Sequence, residues 1–529
     1  MSLEGLHNLE RRLLQLLIIV LPLNGIPESV RIPGLVGDLV NYVYCLMIIA
    51  LVYEYLKYRF SISQKALLFI IVFILWQIIC LIIGLINYEY NDLLILEQTG
   101  KLKTLLIYLS KFGVEINELV AIKGWLFLRF IKNILLLNNI VFFVTFYIYH
   151  LYENNFIKAF NDVRKAVIIL VLVMGTYSFI ELLWLKLDLD FARRFLEFIN
   201  PYLYDVKTTT GWWPPLLWKN QLRSICQEPS FFGIISIFCI PFLWSLLSKN
   251  KYKVISCFLL FYFTLMIAAT NARTAIFLLC AEIILLGIFV LIRKEKIIFK
   301  NFVIVLCVSV LAFGTNLINF KQMIENISSP NTNVSTQLLN KDNKEKIISK
   351  KTKVLNTITM NSAKNYLQHN VVNITDVKAR SNGARLASLL ANLETIKQHP
   401  LFGVGSGLKD AYIDSNISKF ANKNSEVKNW GRYMHNKGVL KAGYPVLNKY
   451  TDIAVQNGLF GLLLYFLPLL YIIKLLYKNR SLILKDYNSV MLMIIMIACL
   501  GAMMSNSALV ICNGIVWGLL LCKIKQIEK

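Results

Sequence analysis

The sequence predicts an all-α polytopic integral membrane protein of about twelve transmembrane helices, with a large external loop domain between spans nine and ten. Three observations carry this. The chain is 57% hydrophobic and only 16% charged, whereas soluble domains run near half apolar and a quarter charged. Its apolar residues fall in blocks of about 17–25, the length that crosses roughly 30 Å of hydrocarbon. The short loops on one side are all basic.

Taken in order, the spans are expected at 13–24, 36–55, 66–87, 133–151, 166–186, 230–248, 253–270, 273–292, 299–318, 452–474, 488–504 and 507–523. The first block, LLQLLIIVLPL after Arg11 and Arg12, has no small-residue cleavage site and reads as a retained span. With both termini in the cytoplasm, the inner loops carry Arg11 and Arg12; Lys57, Arg59 and Lys65; Lys158, Arg164 and Lys165; Lys249, Lys251 and Lys253. Arg293, Lys294 and Lys296 follow, then Lys474, Lys478, Arg480 and Lys485, and finally Lys523, Lys525 and Lys529. That is the positive-inside pattern. Nine of the ten cysteines lie within apolar blocks and act as small hydrophobes; Cys226 stands outside, so no disulfide framework is available.

The chain divides into spans one to nine (1–319, with an outer loop at 187–229), an external domain (320–451) and spans ten to twelve (452–529). Residues 320–450 hold 20 Lys and Arg against 8 Asp and Glu, a net of +12. Long loops escape the charge rule, so the topology stands. Residues 326–375, rich in Asn, Lys and Ser, read as a solvated stretch. From 377 to 399 the spacing of Leu386, Leu389, Leu390, Leu393 and Ile396 predicts an amphipathic helix ended by Pro400 and GVGSG. A second basic amphipathic piece, KGWLFLRFIKN at 123–133, is expected along the outer interface.

Arg223, Arg273 and Arg385 fall on the outer side at span ends, with Arg129 a weaker fourth. An arginine there serves as a snorkelling anchor. Together they also suit a diphosphate headgroup, which needs permanently charged planar donors that grip oxygens in pairs. Glu228 precedes Pro229 in RSICQEPSFFG. It either starts a helix, its carboxylate meeting the dipole, or orients Arg223 or helps handle a proton. His435, in RYMHNKG, returns toward the membrane where the arginines are. No HExxH or His/Cys cluster appears, so the chemistry is expected to use no metal and no cofactor.

EPSFFG opening an outer-face span, NART opening the eighth, R-L-x-x-L…HPLFGVGSG, and HN followed by NGLFG resemble the O-antigen polymerase and ligase superfamily. The resemblance covers about 220 to 465; the ends match only in hydropathy. It implies glycosyl transfer from undecaprenyl-diphosphate-linked glycans at the outer face of a bacterial inner membrane. Arg273, with Arg223 and Arg385, would engage the diphosphate, and His435 would be the base. The interval from His435 to Gly458 exceeds the family's compact spacing, which leaves Asn448 or Glu228 as alternatives for that role.

EPSFFG and the overall length favour a polymerase, which joins one lipid-linked repeat unit to the next; ligation of the glycan onto lipid A-core is the second reading. The implied partners are the lipid-linked donor and acceptor, membrane lipids and a chain-length regulator protein, and no nucleic acid. The rival class is a flippase or transporter, which places ionisable residues near the midplane and shows matching halves. Glu181 is the nearest case of a mid-span charge, and the halves are unalike.

Overall fold

The structure is a computed structural model that describes residues 2–27, 30–31, 38–60, 63–153, 155–203, 221–248, 253–317, 380–421, 424–505 and 510–529. The lysine-rich 326–375 stretch and residues 204–220 of the expected outer loop lie outside the described residues.

Among the described residues every regular element is helical. In chain order the main helices are α1 (Leu3–Ile19), α2 (Leu39–Tyr58), α3 (Gln64–Ile86), α4 (Lys101–Lys111), α5 (Glu118–Asn133) and α6 (Ile140–Tyr152). Next come α7 (Phe156–Leu187), α8 (Asp190–Leu203), α9 (Pro229–Trp244), α10 (Lys253–Thr270), α11 (Arg273–Arg293) and α12 (Lys296–Leu317). Beyond 379 follow α13 (Arg380–Gln398), α14 (Lys409–Ala421), α15 (Ser425–Lys437), α16 (Lys449–Lys478), α17 (Tyr487–Ala502) and α18 (Val510–Glu528). Ten described helices are long and apolar enough to cross a membrane, and the chain is a multi-pass membrane protein. The expected twelve also counted α1, at 17 residues, and α17, at 16, which are shorter.

Two boundaries differ from expectation for identifiable reasons. The first helix begins near the amino terminus because Ser2 accepts the Gly5 N–H, and Leu6, Leu14 and Leu17 make one buried face. The 123–133 piece lies in α5, which runs into α6 through a π turn at Ile134–Asn138. The turn survives because Asn139 donates to the Ile134 carbonyl at 2.8 Å and Gln77 donates to Asn139 at 3.1 Å.

Helix α9 is the centre of the bundle, buried along nearly its whole length and packed by α10, α11 and α17. Helix α18 crosses α6 so closely that a Cβ on Gly514 would sit 2.7 Å from the Val141 carbonyl oxygen. The amino ends of α9, α11 and α16 and the carboxyl end of α10 gather at one end of the bundle, and α13, α14 and α15 form a layer there.

That layer corrects the expected leucine stripe. In α13 the buried face is Ala384, Ala387, Ala391 and Thr395, with Ile396 at its edge; Leu386, Leu389 and Leu390 are half-buried and Leu393 is exposed. Small residues let α13 approach α14 and α16 closely, so packing follows the alanines.

The layer is joined to the bundle by main chain. Gly458 takes φ 70° and ψ 178°, breaking α16 and freeing carbonyls one turn before it. The Val404 N–H donates to the Val455 carbonyl at 2.8 Å, the Gly405 N–H to Gln456 at 3.1 Å, and the Trp76 indole to Asn457 at 2.9 Å. In return the Leu459 N–H donates to the Pro400 carbonyl at 2.8 Å. HPLFGVGSG and NGLFG, far apart in sequence, are two halves of one clasp.

Candidate functional site

Arg273 owes its place to a tight turn. Asn271 adopts φ 50°, a left-handed conformation asparagine tolerates, and the Ala272 N–H donates to the Thr270 hydroxyl at 3.0 Å. The chain therefore re-enters α11 with Arg273 as its first residue, exposed. Its Nη1 donates to the Asn382 side-chain oxygen on α13 at 3.1 Å. Three residues further along α13, the Arg385 Nη1 donates to the Ser505 carbonyl at 2.9 Å, beyond α17.

Glu228 occupies the N-cap position of α9, with Pro229 at the first helical position. Its carboxylate caps no backbone amide; the Ser230 hydroxyl donates to Oε2 at 2.9 Å. Burial pushes the Glu228 carboxyl up from the usual range, opposed by the Ser230 hydrogen bond and by Arg385. Burial likewise pulls the Arg385 guanidinium down, with Glu426 and Glu228 restoring it and Arg273 lowering it further. Glu228, Arg273, Arg385 and Glu426 thus share one electrostatic neighbourhood at the mouth of the central helix.

Arg223 is elsewhere. It is 1% exposed, and its Nε lies 3.9 Å from the Oε1 of Glu181 on α7, itself fully buried. The Ser224 N–H donates to the other Glu181 oxygen at 2.6 Å, and the Leu222 N–H to the Ala269 carbonyl at 3.1 Å. Glu181 is the anchor for Arg223 and for the segment leading to Glu228, where the sequence suggested Glu228 itself as the partner of Arg223. The first arginine therefore braces the site from within.

His435 lies in the last turn of α15, with its side chain largely exposed. Its Nε2 is 2.8 Å from Asp414 Oδ2, and the Tyr444 hydroxyl donates to Asp414 Oδ1 at 2.6 Å. Glu426, at the start of the same helix, reaches the arginine neighbourhood. The two are nine helical positions apart, about 14 Å along the axis. Asn448, the other alternative for the base, caps α16 by accepting the Tyr450 and Thr451 N–H groups at 3.0 and 3.1 Å.

Arg129 also stands apart. Its Nη1 donates to the Leu440 carbonyl at 2.9 Å, and it lines a cavity of about 230 Å³ with Tyr88, Phe130, Asp410 and Leu440. Burial raises the Asp410 carboxyl, partly offset by Lys409 and the Tyr444 N–H.

Residues 258–466 match the family model described as O-antigen ligase. That stretch, less than half of the chain, is similar to the O-antigen ligase family. The matched residues include Arg273, Arg385, His435 and the Gly458 clasp; Arg223 and Glu228 lie before them. The match thus begins later than the resemblance read from EPSFFG. No curated protein gives a significant match to the chain.

Several members of this neighbourhood were not anticipated. Asp414, Asn382 and Glu426 reach their partners only through folding and carry no local signal. Glu282, outside that neighbourhood at the middle of α11, did carry one, and it rather than Glu181 is the nearest case of a mid-span carboxylate. It is fully buried, and neither oxygen has a hydrogen-bond partner among the described residues.

Proposed function

We propose that this chain polymerises undecaprenyl-diphosphate-linked oligosaccharide repeat units at the outer face of a bacterial inner membrane. The observation that carries this reading is the meeting of Arg273, Arg385 and Glu228 at the mouth of α9. An acceptor sugar hydroxyl attacks the anomeric carbon of the donor; the bond from that carbon to the diphosphate oxygen breaks, and the lipid diphosphate leaves with the electron pair. Charge develops on the leaving oxygen, where two guanidinium groups stabilise it. The hydroxyl proton passes to Glu228, whose carboxyl burial pushes up from its usual range. Arg223, held on Glu181, is the positioning residue that fixes the segment carrying Glu228.

The experiment is a deletion strain whose surface polysaccharide is resolved on a gel. Loss of a polymerase leaves lipid A-core carrying at most one repeat unit. The description of the matched family favours a second reading, ligation onto lipid A-core. Bare core with long chains stranded on the lipid carrier would establish that reading and end the first. The net +12 of residues 320–450 favours polymerisation, because two diphosphate headgroups must be held together.

His435 and Asp414 form a polar pair farther out, placed to hold a sugar hydroxyl of the bound glycan. His435→Gln should raise KM for lipid-linked acceptor about fivefold, the worth of one hydrogen bond near 1 kcal/mol, with kcat nearly unchanged. A collapse of kcat at constant KM would transfer the base to His435.

A further inference from the structure

Far from the arginines, at the other end of the bundle, three helices bring together side chains with no common sequence motif. His7 stands in the second turn of α1, Glu54 near the carboxyl end of α2 and His150 near that of α6. His7 Nε2 lies 2.8 Å from Glu54 Oε1, and His150 Nε2 lies 3.0 Å from Glu54 Oε2. One donor atom from each residue falls within 4.8 Å of the others.

A fourth group turns this from a hydrogen-bonded trio into something less balanced. Glu10, one turn beyond His7 on the same face of α1, is 1% exposed, and its carboxyl group meets that of Glu54. It lies close enough to Glu54, itself 2% exposed, for the two carboxylates to repel. Two carboxyl groups thus stand beside two imidazoles in one cluster.

We propose that His7, Glu54 and His150 hold a divalent transition-metal ion of the zinc class, with Glu10 beside Glu54. Imidazole and carboxylate oxygen are zinc donors, and neighbouring ligand atoms on a tetrahedral ion sit about 3.4 Å apart. The pairs here need open by only a few tenths of an ångström to admit it. The surroundings already fix the ligands. The His150 ring packs on Phe60 with centroids 4.0 Å apart, and Arg11 Nε donates to the His7 carbonyl at 3.2 Å. His7 keeps part of its surface accessible, which gives the ion an entry path. The ion would pin α1 and α2 to α6, the helix against which α18 packs, and it takes no part in the transfer chemistry.

The test uses the full chain purified in detergent through a histidine-free tag, washed of loose metal and read by elemental mass spectrometry. About one zinc per chain is expected, falling below about a tenth in His7→Ala/His150→Ala. Because that double variant can fail for want of folding, His150→Cys is run beside it. Cysteine is also a zinc ligand, so this variant should keep the ion and, loaded with cobalt(II), show a thiolate-to-cobalt absorption band. A chelator should lower the Tm of the natural chain and added zinc should restore it. A natural chain that neither carries zinc nor gains Tm from it would overturn the site, leaving a hydrogen-bonded carboxylate with two imidazoles. So would full zinc in the double variant, or a cobalt-loaded His150→Cys chain with no thiolate band.

Discussion

Glu228→Gln should abolish polymer, cutting turnover by about 10²–10⁴-fold while protein level and membrane insertion stay normal. Glutamine keeps the volume of glutamate and an oxygen for the Ser230 hydroxyl, so the helix start is preserved and only the proton acceptor is lost. The carboxylate makes no capping bond of its own, which removes the main structural reason for a large effect. The pH profile adds a separate readout. A base pushed above the usual glutamate range by burial should give a rate that rises with pH through a correspondingly high apparent pKa. Arg385 opposes that shift, so Arg385→Gln should move the rising limb to still higher pH. Near-normal chains from Glu228→Gln, assayed with purified lipid-linked repeat units, would reduce Glu228 to a helix-start residue.

Arg273→Lys should lose about 10²–10³-fold in kcat, close to the loss from Arg273→Ala. Lysine keeps the charge but not the planar fork that grips two oxygens of one phosphate. Arg273 is exposed and its one described hydrogen bond, to Asn382, joins two surface positions. Stability should therefore change by less than about 1 kcal/mol, and the effect should appear in turnover. An arginine that merely anchors a span end would accept lysine. Full-length polymer from the lysine variant would remove Arg273 from the diphosphate site.

The membrane frame was readable because apolar block length and basic loop residues are local signals. Block length survives in the ten candidate spans among the described residues, with boundaries mostly shifted by a few residues. Arg273, Arg385 and Glu228 were each visible as charges at the ends of apolar runs, and folding brings them together. The partner of Arg223 was misjudged because Glu181 lies more than forty positions away, and only the packing of the 221–228 segment onto α7 unites them. The α13 face was misread for another reason. Leucine spacing reports hydrophobicity, whereas close helix approach selects for small side chains, and Ala384, Ala387 and Ala391 satisfy that demand. The trio of His7, Glu54 and His150 was unreadable in principle, since its members come from three helices 47 and 96 positions apart.

The clasp between HPLFGVGSG and the broken α16 separates two tasks that a glycan-handling surface would otherwise have to solve together. Main-chain bonds from Val404, Gly405 and Leu459 set where the outer layer sits, and such bonds are indifferent to the side chains displayed on α14 and α15. Under the proposed function, the exposed surface of α14 and α15 is therefore free to be rewritten for a different sugar sequence without disturbing the register of Arg385 against Glu228. An engineer seeking altered repeat-unit preference should diversify the exposed positions of those two helices and leave Gly403, Gly405 and Gly458 untouched.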